Sequence, residues 1–371
     1  MGMIKLRRGS MLRLIAPLIA LFIAMAASSI FLLMIGQNPF TVFGTLLAFS
    51  LNRADSVGAL LFNATPLIFS GLALVIGLKT GIFNIGVEGQ YLIGAFCAAW
   101  VAFSFQGIPA YVHLPLVITA AMAGAMLWSF FPAYLKLKRG VHEVISTIMF
   151  NYVALSLLHY LVADLFLDRT QNIPRGLASP LIRTPLFSET ALMPKMHGFF
   201  NLFGLEIPGY ISLNWFFTLG LLTAVAVYYF LWFTPLGFEF RVIGLSPEAA
   251  ETAGIRTKSL QMRAFLLSGA LAGLVGLSHL LGYYDSFDLD FPKGYGFSGI
   301  AVALMANNHP LGLIPAALLF GLLNRGAEGI QTILSVPMEL TVILQGCIIL
   351  SIAITLKWVE RIAAREDRKE G

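Results

Sequence analysis

Charge is scarce in this chain. Asp, Glu, Lys and Arg make up 12% of its 371 residues, against 58% hydrophobic residues, and the mean hydropathy is +0.82. A soluble domain of that balance would expose large apolar patches, so an all-α integral membrane protein is expected instead. Cysteine is scarcer still. Cys97 and Cys347 both fall in apolar stretches without CxxC spacing, and the histidines do not cluster, so neither a disulfide framework nor a metal site is expected. No G-x-x-x-x-G-K-[S/T] occurs, so the chain does not cradle a nucleotide phosphate by that means. The net charge of +5 does not point to nucleic acid, because the basic residues lie in short segments beside apolar runs.

What is present is a series of apolar runs. A spanning helix needs about 20 apolar residues. The candidates are Met11–Ile35, Val57–Leu78, Gly89–Phe105, Val112–Leu135, Val144–Leu165, Leu213–Phe233, Arg263–Tyr283, Phe297–Ala306, Leu311–Leu323 and Glu339–Leu356. Ten crossings put both termini on one side, and 17 of the 24 Lys and Arg residues then share that side, which makes it cytoplasmic. The first run is too long for a signal-peptide core, so it reads as an uncleaved span. Residues 166–212 form an extracytoplasmic loop, and residues 236–261 a cytoplasmic one. Asp285–Asp290 faintly resembles a calcium loop but lacks its central glycine and terminal glutamate, and reads as a solvated or partner-contacting loop. Ser268–Gly276, a run of small residues with GxxxG spacing, reads as a helix-packing face. The tail Arg361–Lys369 reads as a surface helix at the headgroups.

Two stretches interrupt the apolar pattern. Gly81-Ile82-Phe83-Asn84-Ile85-Gly86-Val87-Glu88-Gly89-Gln90 combines four glycines with a carboxylate and two amides between spans. Such a charge faces protein or a water-filled path, and glycines break helices where a carrier needs free backbone groups. Glu88 either lies within the bilayer or caps the loop at its cytoplasmic edge. In the second half, Phe297–Ala306 and Leu311–Leu323 are each too short to cross, and Asn307-Asn308-His309-Pro310 joins them without a basic residue. A re-entrant pair over Phe297–Leu323 fits as well as two crossings. Interrupted helices in both halves point to a transport site. On that reading Asn84, Asn307, Asn308 and His309 bond a polar solute, Phe83, Tyr295 and Phe297 stack on an apolar ring, and Gly86, Glu88 and Gln90 shape the path.

The segment 236–261 carries a capped helix: Ser246 as N-cap, Pro247 at the first position, Glu248 in the first turn and Gly254 at the exit. Glu248-Ala249-Ala250 followed by Gly254 resembles the EAA-x-x-x-G element of ABC importer permeases, although the later I-x-L-P portion is missing. Together with GIFNIGVEGQ, His142–Met149 and Gly294–Leu304, it resembles the permease family of nucleoside and simple-sugar ABC importers, related to branched-chain amino acid permeases. The resemblance runs from about Leu12 to Leu356 and leaves residues 168–209 unmatched.

That resemblance implies one transmembrane permease domain over residues 1–371, in the bacterial or archaeal cell (inner) membrane. It implies import of a small polar solute, a nucleoside or simple sugar, by alternating access. Implied partners are cytoplasmic ATP-binding subunits that use ATP and magnesium, a second permease subunit, and an extracytoplasmic substrate-binding protein or lipoprotein. Glu248, Ala249, Ala250 and Gly254 would transmit the motion of the ATPase. The chain itself would bind no cofactor and catalyse nothing. Two rivals remain at this stage. Gly296-Phe297-Ser298-Gly299 matches the GxSG of rhomboid-type proteases, with His309 or His279 as base, although such tetrapeptides arise easily in helix packing. A secondary transporter or channel, with Glu88 as relay, is the stronger rival.

Overall fold

The computed structural model describes residues 8–169, 181–201, 204, 207–336 and scattered positions between 342 and 355. Its described residues form helices and connecting segments with no named strand, and two isolated antiparallel bridges join Arg183 to Asp288 and Lys195 to Asn214. The helices are α1 (Arg8–Met34), α2 (Pro39–Leu51), α3 (Ala54–Leu78), α4 (Val87–Ser104), α5 (Ala110–Arg139), α6 (Glu143–Tyr160), α7 (His197–Asn201), α8 (Phe216–Phe233), α9 (Pro235–Leu245), α10 (Pro247–Thr252), α11 (Thr257–Ala272), α12 (Leu277–Leu280), α13 (Tyr295–Met305) and α14 (Leu313–Leu334). Among the described residues six helical segments are long and apolar enough to cross a membrane, or seven if the bent α1–α2 pair counts as one. The expected span Glu339–Leu356 and the tail Arg361–Lys369 lie largely or wholly outside the described residues.

α3 is the axis of the bundle. Its apolar window is 78% buried, whereas that of α5 is only 22% buried. No internal hydrophobic drive separates a helix core from lipid, so packing rather than polarity decides which helix sits inside. Small residues let α3 approach its neighbours: Gly71 faces Leu313 and Val302, and Gly321 of α14 faces Leu60 and Ala64. These contacts run α14 antiparallel to α3 along its length, with Arg325 bonded to Ser56 at the far end. α14 continues to Leu334 and is long and apolar enough to cross a membrane. The Asn307–Pro310 turn joins α13 and α14 at the Lys79 end of the bundle, where His309 and Lys79 share the Trp232 ring.

Helices also form outside the ten expected runs. α2 begins with Asn38 as N-cap and Pro39 behind it, and α9 begins with Thr234 as cap and Pro235 behind it. Both carry the signal that located α10, in stretches otherwise taken as connectors. The α1–α2 pair bends by 116°. At the Asp55 end the segment after α6 lies over the helix ends: Ser188 N–H donates to Ala102 O, Met193 N–H to Leu281 O, and Met196 N–H to Leu213 O. The acidic stretch is pinned to it, with Thr184 N–H donating to Phe287 O and Leu289 N–H to Ile182 O. Ser286 and Phe287 are buried, so this stretch is half interior rather than a solvated loop.

Candidate functional site

The two interruptions meet. After α3 ends at Leu78, residues 79–86 turn back along it, with Ile82 N–H bonded to Gly77 O, and α4 starts inside the bundle. From the opposite end, residues 284–294 descend below the capping segment and α13 starts beside the first turn of α4. Each N-terminus presents backbone donors without helical partners and the positive end of a dipole. Glu88 answers those of α13. Its Oε1 accepts from Gly294 N–H at 2.6 Å and its Oε2 from Gly296 N–H at 2.8 Å. The Tyr91 hydroxyl lies 3.1 Å from Oε1 and 2.8 Å from Pro292 O, and shares its one proton between them. Glu88 is 4% exposed. A buried carboxylate of this kind is held by donors, not by a counter-ion.

Close approach explains the glycines on the α13 side. Gly294 has φ +97°, and a Cβ on Gly296 would stand 2.5 Å from Glu88 N. Gly299 presses equally hard on Ser70. The small residues of the GxSG tetrapeptide thus serve packing. His279 is engaged with the Ser278 and Tyr295 hydroxyls, and His309 with Gly312 N–H, so neither is placed as a base for Ser298.

The start of α4 is satisfied from its own side. Asn84 Oδ1 accepts from Gly86 N–H and from Gln90 Nε2, both at 3.1 Å, while its Nδ2 donates to Gln90 Oε1 and Ser268 Oγ. Ser268 passes the chain on to Ala73 O at 2.6 Å. Asn151 Oδ1 takes Gly89 N–H, and its Nδ2 donates to Ile85 O. Sequence reasoning missed Asn151 and Ser268, whose polar side chains in apolar helices were the available signal. Asn84 is fully buried and Phe83 half-buried, while Phe297 is 47% exposed.

Asn307, Asn308 and His309 stand elsewhere. α13 carries them about 16 Å away, at 1.5 Å per residue over its eleven residues. His309 packs against Tyr228 and Trp232 with ring centroids 5.4 and 5.1 Å apart. Lys79 and Arg241 lie over the same Trp232 ring at 5.4 and 5.5 Å. Burial and the neighbouring Arg241 hold the Lys79 ammonium below the usual lysine range. Asn307 and Asn308 have φ of +51° and +54°, a left-handed turn that asparagine tolerates. The predicted polar and aromatic residues therefore form two clusters rather than one pocket.

The capped helix is α10, with Ser246 Oγ accepting from Ala249 N–H at 3.2 Å and Gly254 leaving at φ +80°. Glu248, Ala249 and Gly254 are exposed, while Ala250 is fully buried. α10 follows directly on α9, whose Gly244 lies against the Lys79 carbonyl and Gly81 N, so closely that no side chain fits. The exposed helix thus stands two residues from a backbone contact with the turn that opens α4.

An apolar bundle in which two helices start inside it at a shared buried carboxylate fits a membrane transport protein. The sequence profile described as branched-chain amino acid transport system / permease component matches residues 56–353, and the chain belongs to that family. It is a multi-pass protein of the cell membrane and a transport component rather than an enzyme. It is 35% identical over 345 residues to the guanosine ABC transporter permease protein NupP of Bacillus subtilis, covering 92% of this chain and 93% of that one. It is 33% identical to the nucleoside ABC transporter permease protein NupB of Lactococcus lactis, over 92% and 91% of the two chains. With the glucose ABC transporter permease protein TsgB13 of Haloferax volcanii it shares 32% identity, over 90% and 85%. No solved structure matches at a significant level.

Proposed function

We propose that the chain is the membrane permease subunit of an ATP-driven importer that takes a nucleoside or a simple sugar into the cell by alternating access. Ten crossings, with α4 and α13 as the two broken ones and both termini in the cytoplasm, place the Lys79 end inside and the Asp55 end outside. Support comes from the basic residues gathered at that end, among them Lys136, Lys138 and Arg139 in the last turn of α5. ATP and magnesium are handled by cytoplasmic ATP-binding subunits. A second permease, identical or homologous, completes the pathway, and an extracytoplasmic binding protein or lipoprotein delivers the solute.

The observation that carries this reading is the contact of Gly244 with the Lys79–Gly81 turn. A push on the exposed face of α10 reaches that turn through α9 without crossing a flexible linker. From the turn it passes to the Asn84–Gln90 pair and to the α4 start, where Glu88 holds α13. Because Glu88 already accepts three donors, it is better suited to latch the half-helices than to shuttle protons. Glu248→Arg, on an exposed residue, should leave the protein in the membrane and abolish solute uptake by the assembled transporter while ATP hydrolysis continues. Normal uptake in that variant, or gradient-driven uptake by this chain without ATPase subunits, would sink the proposal.

A further inference from the structure

Between α3 and α14, beside Tyr210 and Ser212 of the capping segment, lies a cavity of about 330 Å³. Pockets for small molecules run from roughly 300 to 1,000 Å³, so this one suits a ligand of one or two rings. Phe62 and Asn63, adjacent on α3, form one wall, and Glu328 of α14 forms another. His279 makes the floor, and Tyr283 and Tyr284 close the side. Beneath the floor, His279 Nε2 is 3.0 Å from the Tyr295 hydroxyl. One hydrogen bond therefore separates the cavity from the first residue of α13.

Glu328 is the only Asp, Glu, Lys or Arg among the lining residues. Arg325, one turn earlier, is paired with its Oε2, and is itself set by Ser56 Oγ at 3.3 Å and by the Phe49 ring at 4.7 Å. The ion pair leaves the site without net charge, which favours an uncharged polar ligand over an ion. Oε1 points toward Asn63, whose Nδ2 is 3.5 Å away, at the limit of a hydrogen bond. Both groups thus keep bonding capacity at one spot: an acceptor for one hydroxyl, and an amide for its neighbour. Phe62 and His279 have ring centroids 4.3 Å apart, and Tyr283 stands edge-on to Tyr284 at 4.9 Å. Tyr283 is 64% exposed, a ring free to cover a planar ligand.

Resting on the importer reading above, we infer that this cavity is the outward-facing recognition site for a ribonucleoside. Glu328 and Asn63 hold the vicinal hydroxyls of the ribose, and Phe62 and Tyr283 take the base. The test uses the complete transporter with its ATPase and binding-protein partners, in cells that lack other nucleoside uptake. Guanosine uptake should compete better with unlabelled guanosine than with 2′-deoxyguanosine. Glu328→Gln should raise the KM for guanosine about tenfold with the maximal rate within about twofold, and bring the two competitors level. Phe62→Tyr should retain uptake that Phe62→Ala loses. A readout independent of transport is Ala59→Cys, labelled from outside with a membrane-impermeant maleimide and read above the wild-type background; guanosine should slow labelling several-fold.

An unchanged preference between the two competitors in Glu328→Gln, or labelling of Ala59→Cys that guanosine leaves untouched, overturns the site assignment. Protection by glucose alone overturns the ribonucleoside. Failure of the intact transporter to take up any nucleoside or sugar strikes the importer reading itself, and is thereby distinguishable from failure of the site.

Discussion

The two broken helices solve one physical problem in opposite ways. Each begins inside an apolar bundle, where backbone N–H groups cannot turn to water. α4 is closed by neutral amides: Asn84 and Asn151 accept its first donors, and Gln90 locks Asn84 in return. α13 supplies nothing of its own, and its donors are taken by a carboxylate that belongs to α4. The first break thus draws its acceptors from its own turn and from α6, while the second depends on the first. A displacement of the α4 start must displace or release α13. That dependence makes the pair a mechanical unit rather than two separate defects.

Removing the shared group should have the largest effect. Glu88→Ala leaves the half-buried Gly294 N–H and the buried Gly296 N–H without acceptors, at about 1–3 kcal/mol each. Thermal unfolding of the purified protein should show a loss of about 2–6 kcal/mol, with uptake abolished. Glu88→Gln keeps one acceptor oxygen and should recover roughly half of the loss. If Glu88→Ala unfolds like wild type, the latch is wrong. An intermediate effect is expected on the α4 side. Asn84→Ala orphans Gly86 N–H but leaves Gln90 and Ser268 free to re-pair, so about 1–3 kcal/mol is expected, with part of the uptake retained. A loss as large as that of Glu88→Ala would erase the asymmetry.

The smallest effect belongs to the segment that feeds α13. Burial, and then Asp290, hold the Asp288 carboxyl above its ordinary value of 3.8, and its buried Oδ1 has no bonding partner among the described residues. A carboxyl raised in the folded state costs stability once ionised. The cost is absent below pH 3.8, grows as the pH rises through the folded value, and is constant above it. Asp288→Asn should therefore stabilise the protein at neutral pH by less than about 1 kcal/mol, with the gain fading toward pH 4. Melting curves between pH 4 and 8 check this. A gain that is independent of pH would point to packing instead.

Particular elements show how far the sequence could be read. The capped α10 was legible because its Ser-Pro start and Gly exit are local chemistry, and Thr234-Pro235 and Asn38-Pro39 carried that signal for α9 and α2 just as openly. α14 was cut short at Leu323 because Asn324, Arg325 and Glu328 interrupt its apolarity; Arg325 and Glu328 pair with each other and reach Ser56 and Asn63, far away in the chain. Of the two stretches that interrupt the apolar pattern, residues 79–86 are a turn between α3 and α4, whereas Tyr295–Met305 is itself a helix. Only one end of the second, Gly294–Gly296, reaches the first, and the amides of Asn307 and Asn308 face away at the Lys79 end.

By itself the sequence determined the membrane setting, the run of apolar helices, the exposed capped helix and the family, because hydropathy, capping and motif order are properties of neighbouring residues. The tertiary structure alone decided which of those helices is the axis, and that Glu88 of one break caps the other. It also decided that Gly244 touches the turn before α4, and that Asn63, His279 and Glu328 share a cavity. Each of these is a contact between segments tens to hundreds of residues apart, and no local pattern encodes a partner at that distance.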